Sequence, residues 1–569
     1  PDKIEKAQHK KHPIEYRVDD GKWVRVSNLQ QLAQILHTGE FSGPAQASER
    51  SQGLAVSAQA TAAQSALAAG GGVGASVAAG QVKWSCPFRL QSEPPRVSTA
   101  DFLMGLARHM DNPVEFFSEY HQRHGSNFQV KLPTGQRLVF DHRFESVHDA
   151  LKVTDHPKQP NTWHKPELQG HGLSFLMGMD NVFLASGDEW RKTHGVMRPH
   201  LSGPTVNGQS VQVGQVFERH IQRLKDGIQA AGGEAEFDFR KEMQLATLDV
   251  AMQVLFGAQL GDKELLDCQQ AFQTVMKWLP IETANPTDFS LSRLPRNSGL
   301  KKAYQHLQGL ADQMVARRRL DPSPAQDILG ALVQAVDPDT GKPFSDERLR
   351  NEVLTLMLAG HETTATMLSW SFAELSRKPE LWSQLQQEVD QKLNGKFPNA
   401  DQLKELDVVD NTVNETLRLY SPAYFLVREA SEDTEIGPPG ATLKAEKGTQ
   451  LMMSTFHMHR DSANWGEDAE EFRPERFEEA DKGKMVPFGS GARVCMGQHL
   501  ARLEARMLLT RFAQEFEMVG CPNAPLTVES DISVHPSDAK IRLRCRSEGP
   551  VSEGPPAAGA AGAGQCPYM

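Results

Sequence analysis

"FGSGARVCMG" (residues 488–497) decides how the rest of this chain is read. Its single cysteine, Cys495, lies two residues after Arg493 and two before Gly497, with Phe488, Gly489 and Gly491 just upstream. The amphipathic stretch QHLARLEARMLLTRF (498–512) follows, so the cysteine stands at the mouth of a predicted helix. Amides at a helix N-terminus and a nearby guanidinium both favour a thiolate. A thiolate held this way can be a nucleophile, a redox switch or a metal ligand. A nucleophile needs a general base, and the nearest candidate, His499, has no evident third group to orient it.

Around this loop, composition narrows the options. The 569 residues carry 61 basic and 72 acidic side chains, a net charge of −11 with no basic stripe, which argues against nucleic-acid binding. The six cysteines (86, 268, 495, 521, 545, 566) include no C-x-x-C pair, so they form neither a disulfide framework nor a zinc site. They suit a reducing compartment, and a cytoplasmic location is expected. The opening PDKIEKAQHKKHP has no apolar core of a signal peptide, and Pro1 is not an initiator methionine, which leaves the natural N-terminus open. Residues 51–82 contain no charged side chain, but they also lack the Leu, Ile and Phe that drive membrane insertion. No transmembrane anchor is expected there.

The chain therefore divides into four parts. Residues 1–50 form a small appendage, in which IEYRVDDGKWVRV (14–26) predicts a hairpin and NLQQLAQIL (28–36) a short helix. An Ala/Gly-rich linker covers 51–93, a helix-rich domain 94–548, and a disordered tail 549–569. Within the domain, NPVEFFSEYHQRHG (112–125) reads as a helix and NFQVKLPTGQRLVFD (127–141) as a hairpin. The longest predicted helix runs from the N-cap Ser345 to about Arg377, before Pro379. AGHETTA (359–365) sits at its middle, where Gly and Thr are poor helix formers and a local function is indicated. The Thr363 hydroxyl can bond the Ala359 carbonyl, Gly360 leaves room on one face, and Glu362 adds an acid beside the alcohol at one groove.

The spacing Phe488-x-x-Gly491-x-Arg493-x-Cys495-x-Gly497 resembles the haem-binding signature of the cytochrome P-450 family. That resemblance implies a mainly α fold with small β-sheets around a buried haem b. It implies Cys495 as the thiolate ligand of the iron, Phe488 packed by the sulfur, Arg493 on a propionate and Gly497 at the close approach of the macrocycle. AGHETTA resembles the family's oxygen-binding segment, which implies catalytic proton relay through Glu362 and Thr363. ETLR (415–418) and FRPERF (472–477) resemble its structural triad, here Glu415, Arg418 and Arg476. LVREASED (426–433) puts Arg428 at a second propionate position, and DEWRKTHG (188–195) puts Trp190 and His194 at the other. His194 departs from the commoner Arg, and its charge depends on pH.

The function implied is that of a monooxygenase placing one oxygen atom of O2 in a small apolar substrate: a fatty acid, terpenoid or aromatic. About 70 residues follow Cys495, too few for a flavin module, so a separate ferredoxin or flavoprotein reductase is the expected electron source. Lys482, Lys484, Arg502 and Arg506 are candidates to steer such an acidic partner. A peroxide-driven hydroxylase or peroxide isomerase of the same fold is the alternative, opposed by the Glu362–Thr363 pair. The Cys-Pro pairs at Cys86, Cys521 and Cys566 raise a haem sensor as a third reading. The substrate pocket is expected from the 165–185 loop, the Ala359 turn and SPAYFLV (421–427).

Overall fold

The computed structural model describes residues 14–17, 23–26 and 93–556, the last span interrupted at 110, 156–161, 167–171, 284–297, 322, 438–441, 480–481, 521–525 and 548. Internal contacts separate two units, residues 1–76 with 103–108 and residues 77–102 with 109–569. In the first, β1 (Ile14–Arg17) and β2 (Trp23–Val26) pair antiparallel from Ile14↔Val26 to Arg17↔Trp23, the hairpin that the alternating residues predict. The helix expected at 28–36 and the linker up to residue 92 lie outside the described residues.

The second unit contains, in chain order, β3 (Arg96–Val97), α1 (Pro113–His124), β4 (Asn127–Lys131), β5 (Arg137–Asp141), α2 (Phe144–Val153), β6 (Trp163–His164), α3 (Gly187–Met197) and α4 (Ser210–Ala230). Next come β7 (Glu234–Asp238), α5 (Phe239–Phe256), α6 (Asp262–Thr283), α7 (Ser298–Leu320), α8 (Asp346–Leu375), α9 (Pro379–Leu393) and α10 (Asp407–Leu419). The strands β8 (Phe425–Ala430), β9 (Thr434–Ile436), β10 (Leu443–Ala445) and β11 (Gln450–Ser454) precede α11 (Gln498–Glu515). The strands β12 (Phe516–Met518), β13 (Val528–Ser530), β14 (Val534–Pro536) and β15 (Lys540–Cys545) follow it. Shorter helical turns join these elements. The largest sheet has the order β3-β4-β5-β11-β8-β6, and small sheets β12-β15-β7, β9-β10 and β13-β14 flank the helices. The architecture is mainly α with small sheets, as the sequence implies.

Helix α8 is the axis of the unit. Ser345 caps it by accepting the Arg348 N–H, and Asp346 and Glu347 occupy its first turn, where the helix dipole favours acids. Its side chains are buried almost from end to end, so it runs through the core rather than over it. Against it packs α5, whose Phe239, Leu248 and Val250 are also buried.

The strands and turns that lead to Cys495 are fixed by an ion-pair network at α10. Arg418 is wholly buried; its Nε and Nη2 meet Glu415 at 2.7 and 2.8 Å, and its Nη1 donates to the carbonyls of His459 and Ala469 at 2.7 and 2.6 Å. Arg476 reaches Glu415 at 3.5 Å and Asp468 at 2.8 Å. A buried pair offsets its desolvation only when its remaining polar groups are satisfied, and these are.

The tail expected to be disordered departs from that expectation at its start. Residues 549–556 lie against the helices: Ser552 accepts from Arg511 at 2.6 Å, Glu553 N–H reaches the Gly395 carbonyl at 2.7 Å, and Gln215 donates to the Pro556 carbonyl at 2.9 Å. The buried Arg511 guanidinium and the Gly395 carbonyl give the segment partners that low-complexity composition does not reveal. Residues 557–569 lie outside the described residues. Among the described residues no helix is long and apolar enough to cross a membrane.

Candidate active site

The cysteine loop is closed by the Cys495 N–H donating to the Phe488 carbonyl at 2.8 Å. Gly489 and Gly491 have φ of 73° and 71°, a region that L side chains avoid. A Cβ on Gly491 would also stand 2.4 Å from the Leu151 carbonyl oxygen, so glycine keys the loop to α2. Gly497 is different: its φ is −77°, and a Cβ there would stand 3.8 Å from the Cys495 sulfur. Glycine at 497 keeps the space beside the sulfur open instead of relieving backbone strain.

Cys495 is exposed, at the N-terminus of α11. The surrounding protein raises its thiol pKa by desolvation, while the Gly497 and Gln498 N–H groups pull it down without cancelling the rise. Arg493 does not contribute to this balance, because it turns toward Asp155 (2.6 Å), the Ala185 carbonyl (2.7 Å) and the Trp190 ring (4.2 Å). The expectation that Arg493 favours the thiolate is therefore corrected. A thiolate here needs a cationic centre at the sulfur itself, as a metal provides. Among the described residues no three His, Cys, Asp or Glu side chains gather to hold a bare metal ion. A single thiol suits a metal that brings its other ligands with it.

Beside the loop lies an excess of buried positive charge. Arg428 is 5% exposed and donates to Thr154 Oγ1 (3.0 Å) and the Val427 carbonyl (2.8 Å). Burial first, and then Arg493, lower its pKa to about 10. Lys165 donates to the Phe183 carbonyl and lies 3.9 Å from that ring's centroid. Burial, Arg428 and Arg493 push it well below the usual lysine value, and Asp155 opposes them. The Trp190 and His194 rings lie at a 34° tilt with centroids 4.3 Å apart, and burial, Arg198 and Arg493 lower the His194 pKa, which favours its neutral form. Three basic side chains thus share this region with the Asp155 carboxylate, an arrangement that favours further anions. Lys165 and Asp155 escaped the sequence reading; the only signal was their place before and within the predicted pocket loop.

At the middle of α8, Ala359 is exposed and Thr363 half-buried, whereas the turns on either side are buried. The Thr363 hydroxyl donates to the Ala359 carbonyl at 2.8 Å, as expected. Gly360 faces α5 instead of open space: a Cβ there would stand 3.4 Å from Leu255 and 3.6 Å from Ala251. Glu362 is 3% exposed, and its carboxylate accepts from Gln244 (2.9 Å) on α5 and Ser533 (3.1 Å) on the β13–β14 turn. The acid and the alcohol are neighbours in sequence but sit in different surroundings. Of the basic residues expected to steer a partner, Arg502 is held by Asn414 at 2.8 Å and Arg506 by Asp410 at 3.0 Å.

The family model described as Cytochrome P450 matches residues 94–543, most of the described second unit. The chain belongs to the cytochrome P450 family. A bifunctional cytochrome P450/NADPH–P450 reductase of Bacillus cereus is 34% identical over 455 residues, covering 77% of this chain and 41% of that protein. The corresponding reductase 2 of Bacillus subtilis is 29% identical over 395 residues, 67% of this chain and 37% of its own length. The chain thus spans about two fifths of these two relatives. Cyclooctat-9-en-7-ol 5-monooxygenase of Streptomyces melanosporofaciens is 26% identical over 452 residues, 77% of this chain and 92% of that enzyme. The haem of a cytochrome P450 fits the groups just described: one accessible thiol for the iron, and Arg428, Arg493, Lys165 and the Trp190–His194 pair for its acidic edge.

Proposed function

We propose that the protein is a cytoplasmic haem-thiolate monooxygenase. It would place one oxygen atom of O2 in an apolar organic substrate with electrons from a separate ferredoxin or flavoprotein reductase. The observation that carries this reading is Cys495: a lone accessible thiol under the N–H groups of Gly497 and Gln498, beside a cluster of buried cations. The haem, when bound through Cys495, supplies the iron at which O2 is reduced and its O–O bond is broken. Phe488, whose carbonyl accepts the Cys495 N–H, would pack by the sulfur, and Arg493, held by Asp155, would stay fixed for a propionate instead of drifting onto the thiol. Thr363 Oγ1 and the Glu362 carboxyl hold the protons that the reduction consumes. The loop 178–186 supplies apolar surface, with the Phe183 ring 45% exposed.

The test is the spectrum of the reduced protein under carbon monoxide. Wild type should show the strongly red-shifted Soret band of a thiolate-ligated haem, and Cys495→Ser should lose it. A band that survives Cys495→Ser, or wild type that binds no haem, would overturn the proposal.

A further inference from the structure

Glu362 is a buried carboxylate that must gain and lose a proton if it serves catalysis, and its two anchors differ in what they allow. Gln244 Nε2 donates to Oε2 at 2.9 Å. The Gln244 amide cannot turn over, because its Oε1 already accepts from Gln269 (2.9 Å) and Gln273 (3.1 Å). An amide N–H only donates, so Oε2 must remain an acceptor, and a proton on Glu362 has to sit on Oε1. Ser533 Oγ donates to Oε1 at 3.1 Å and also lies 3.2 Å from Thr366 Oγ1, where either hydroxyl can be the donor. This pair can reverse. With Glu362 ionised, Thr366 donates to Ser533 and Ser533 to the carboxylate. With Glu362 protonated, its O–H donates to Ser533, and the Ser533 hydrogen turns to Thr366. One proton is added at Glu362, and no hydrogen bond is lost.

The turn that carries Ser533 is fixed on several sides. Ser533 N–H bonds Asp531 Oδ1 at 2.9 Å, the Tyr424 hydroxyl donates to the Asp531 carbonyl at 3.0 Å, and Trp370 Nε1 donates to the Val534 carbonyl at 3.0 Å. Ser533 itself is 1% exposed, so bulk water does not take over its part. The geometry points to Ser533 as a positioning residue for proton delivery: a reversible hydroxyl that keeps Glu362 in place in both protonation states. This rests on the proposed role of Glu362.

The experiment compares wild type, Ser533→Ala, Ser533→Thr, Glu362→Gln and the Ser533→Ala/Glu362→Gln pair as ferric holoproteins. Infrared difference spectra need no turnover: the carboxylate band absent from Glu362→Gln identifies Glu362. That band should shift in Ser533→Ala and return in Ser533→Thr. Turnover uses a surrogate ferredoxin and its reductase with whichever of lauric acid, limonene and naphthalene wild type converts. A buried hydrogen bond to a charged group is worth about ten-fold or more, so product per NAD(P)H should fall by about that factor in Ser533→Ala. Hydrogen peroxide should rise, the solvent deuterium isotope effect should grow, and Ser533→Thr should recover. The double variant should be no worse than Glu362→Gln. Normal coupling in Ser533→Ala while Glu362→Gln uncouples would overturn the inference and leave Glu362 in its role. Additive losses in the double variant would overturn it too. Normal coupling in Glu362→Gln would remove the reading on which the inference stands, and conversion of none of the three probes would count against both.

Discussion

Replacing Glu352 by Gln should make the protein more stable in mild alkali while changing little in mild acid. Glu352 lies on α8, is fully buried, and ties that helix to the 178–186 loop by accepting the Val182 N–H at 2.9 Å. Desolvation raises its pKa from 4.5 to about 7; the Val182 N–H, Thr193 and Arg348 pull the other way, and Asp180 adds to the rise. Between these two values the folded protein binds a proton that the unfolded chain has released. Stability from this group is therefore greatest below pH 4.5 and falls as pH rises through 7. Over pH 5 to 8 the loss amounts to about 2.5 kcal/mol, a sizeable part of a net stability of roughly 5–15 kcal/mol. Glutamine keeps an oxygen for the Val182 N–H and has no charge to desolvate. Urea unfolding followed by far-ultraviolet circular dichroism at pH 5 and pH 8 should show the variant gaining about 2.5 kcal/mol on wild type between the two. A gap that is the same at both pH values would refute the reasoning, whatever its size.

Three other outcomes are expected. Arg418→Lys keeps the charge but not the fork that meets Glu415 and two carbonyls, and should cost about 3–5 kcal/mol in urea unfolding with loss of haem content. Burial lowers the pKa values of His142 and His459 to about 3, so the stability they confer is complete above about pH 6.5 and is lost as pH falls toward 3. Each should steepen acid unfolding by up to about 1.4 kcal/mol per pH unit, a contribution that His142→Phe should remove from a plot of stability against pH. Thr363→Ala should keep fold and haem but lower product per NAD(P)H by about 10²-fold, with peroxide appearing instead.

The sequence was most legible where chemistry restricts residue type. Glycine best suits the positive-φ backbone at 489 and 491, and a cysteine framed by them is an uncommon choice, so the loop stands out in one dimension. The Ser345 cap and the hydrophobic run behind it likewise announced α8. Partners far apart in the chain could not be read this way. Nothing near Arg493 says that it turns to Asp155, and nothing near Glu362 names Gln244 or Ser533. Arg502 and Arg506 read as charges free to steer a partner because their acceptors, Asn414 and Asp410, lie on another helix. Gly360 read as open space because α5, which fills it, begins more than a hundred residues earlier.

The side-chain bonds that fix Arg493 reach back 338 residues to Asp155 and 308 to Ala185. A ribosome makes the chain in the opposite sense, from α2 and the residues after it first to the cysteine loop only later. While the residues in between are made, the early residues therefore wait for a partner that does not yet exist. Lys165 and Arg428, whose charges lie near Arg493 and Asp155 in the finished protein, are met by water until then. The cysteine loop thus acts as the closing step for these early residues, which find their partner only once Arg493 has been made.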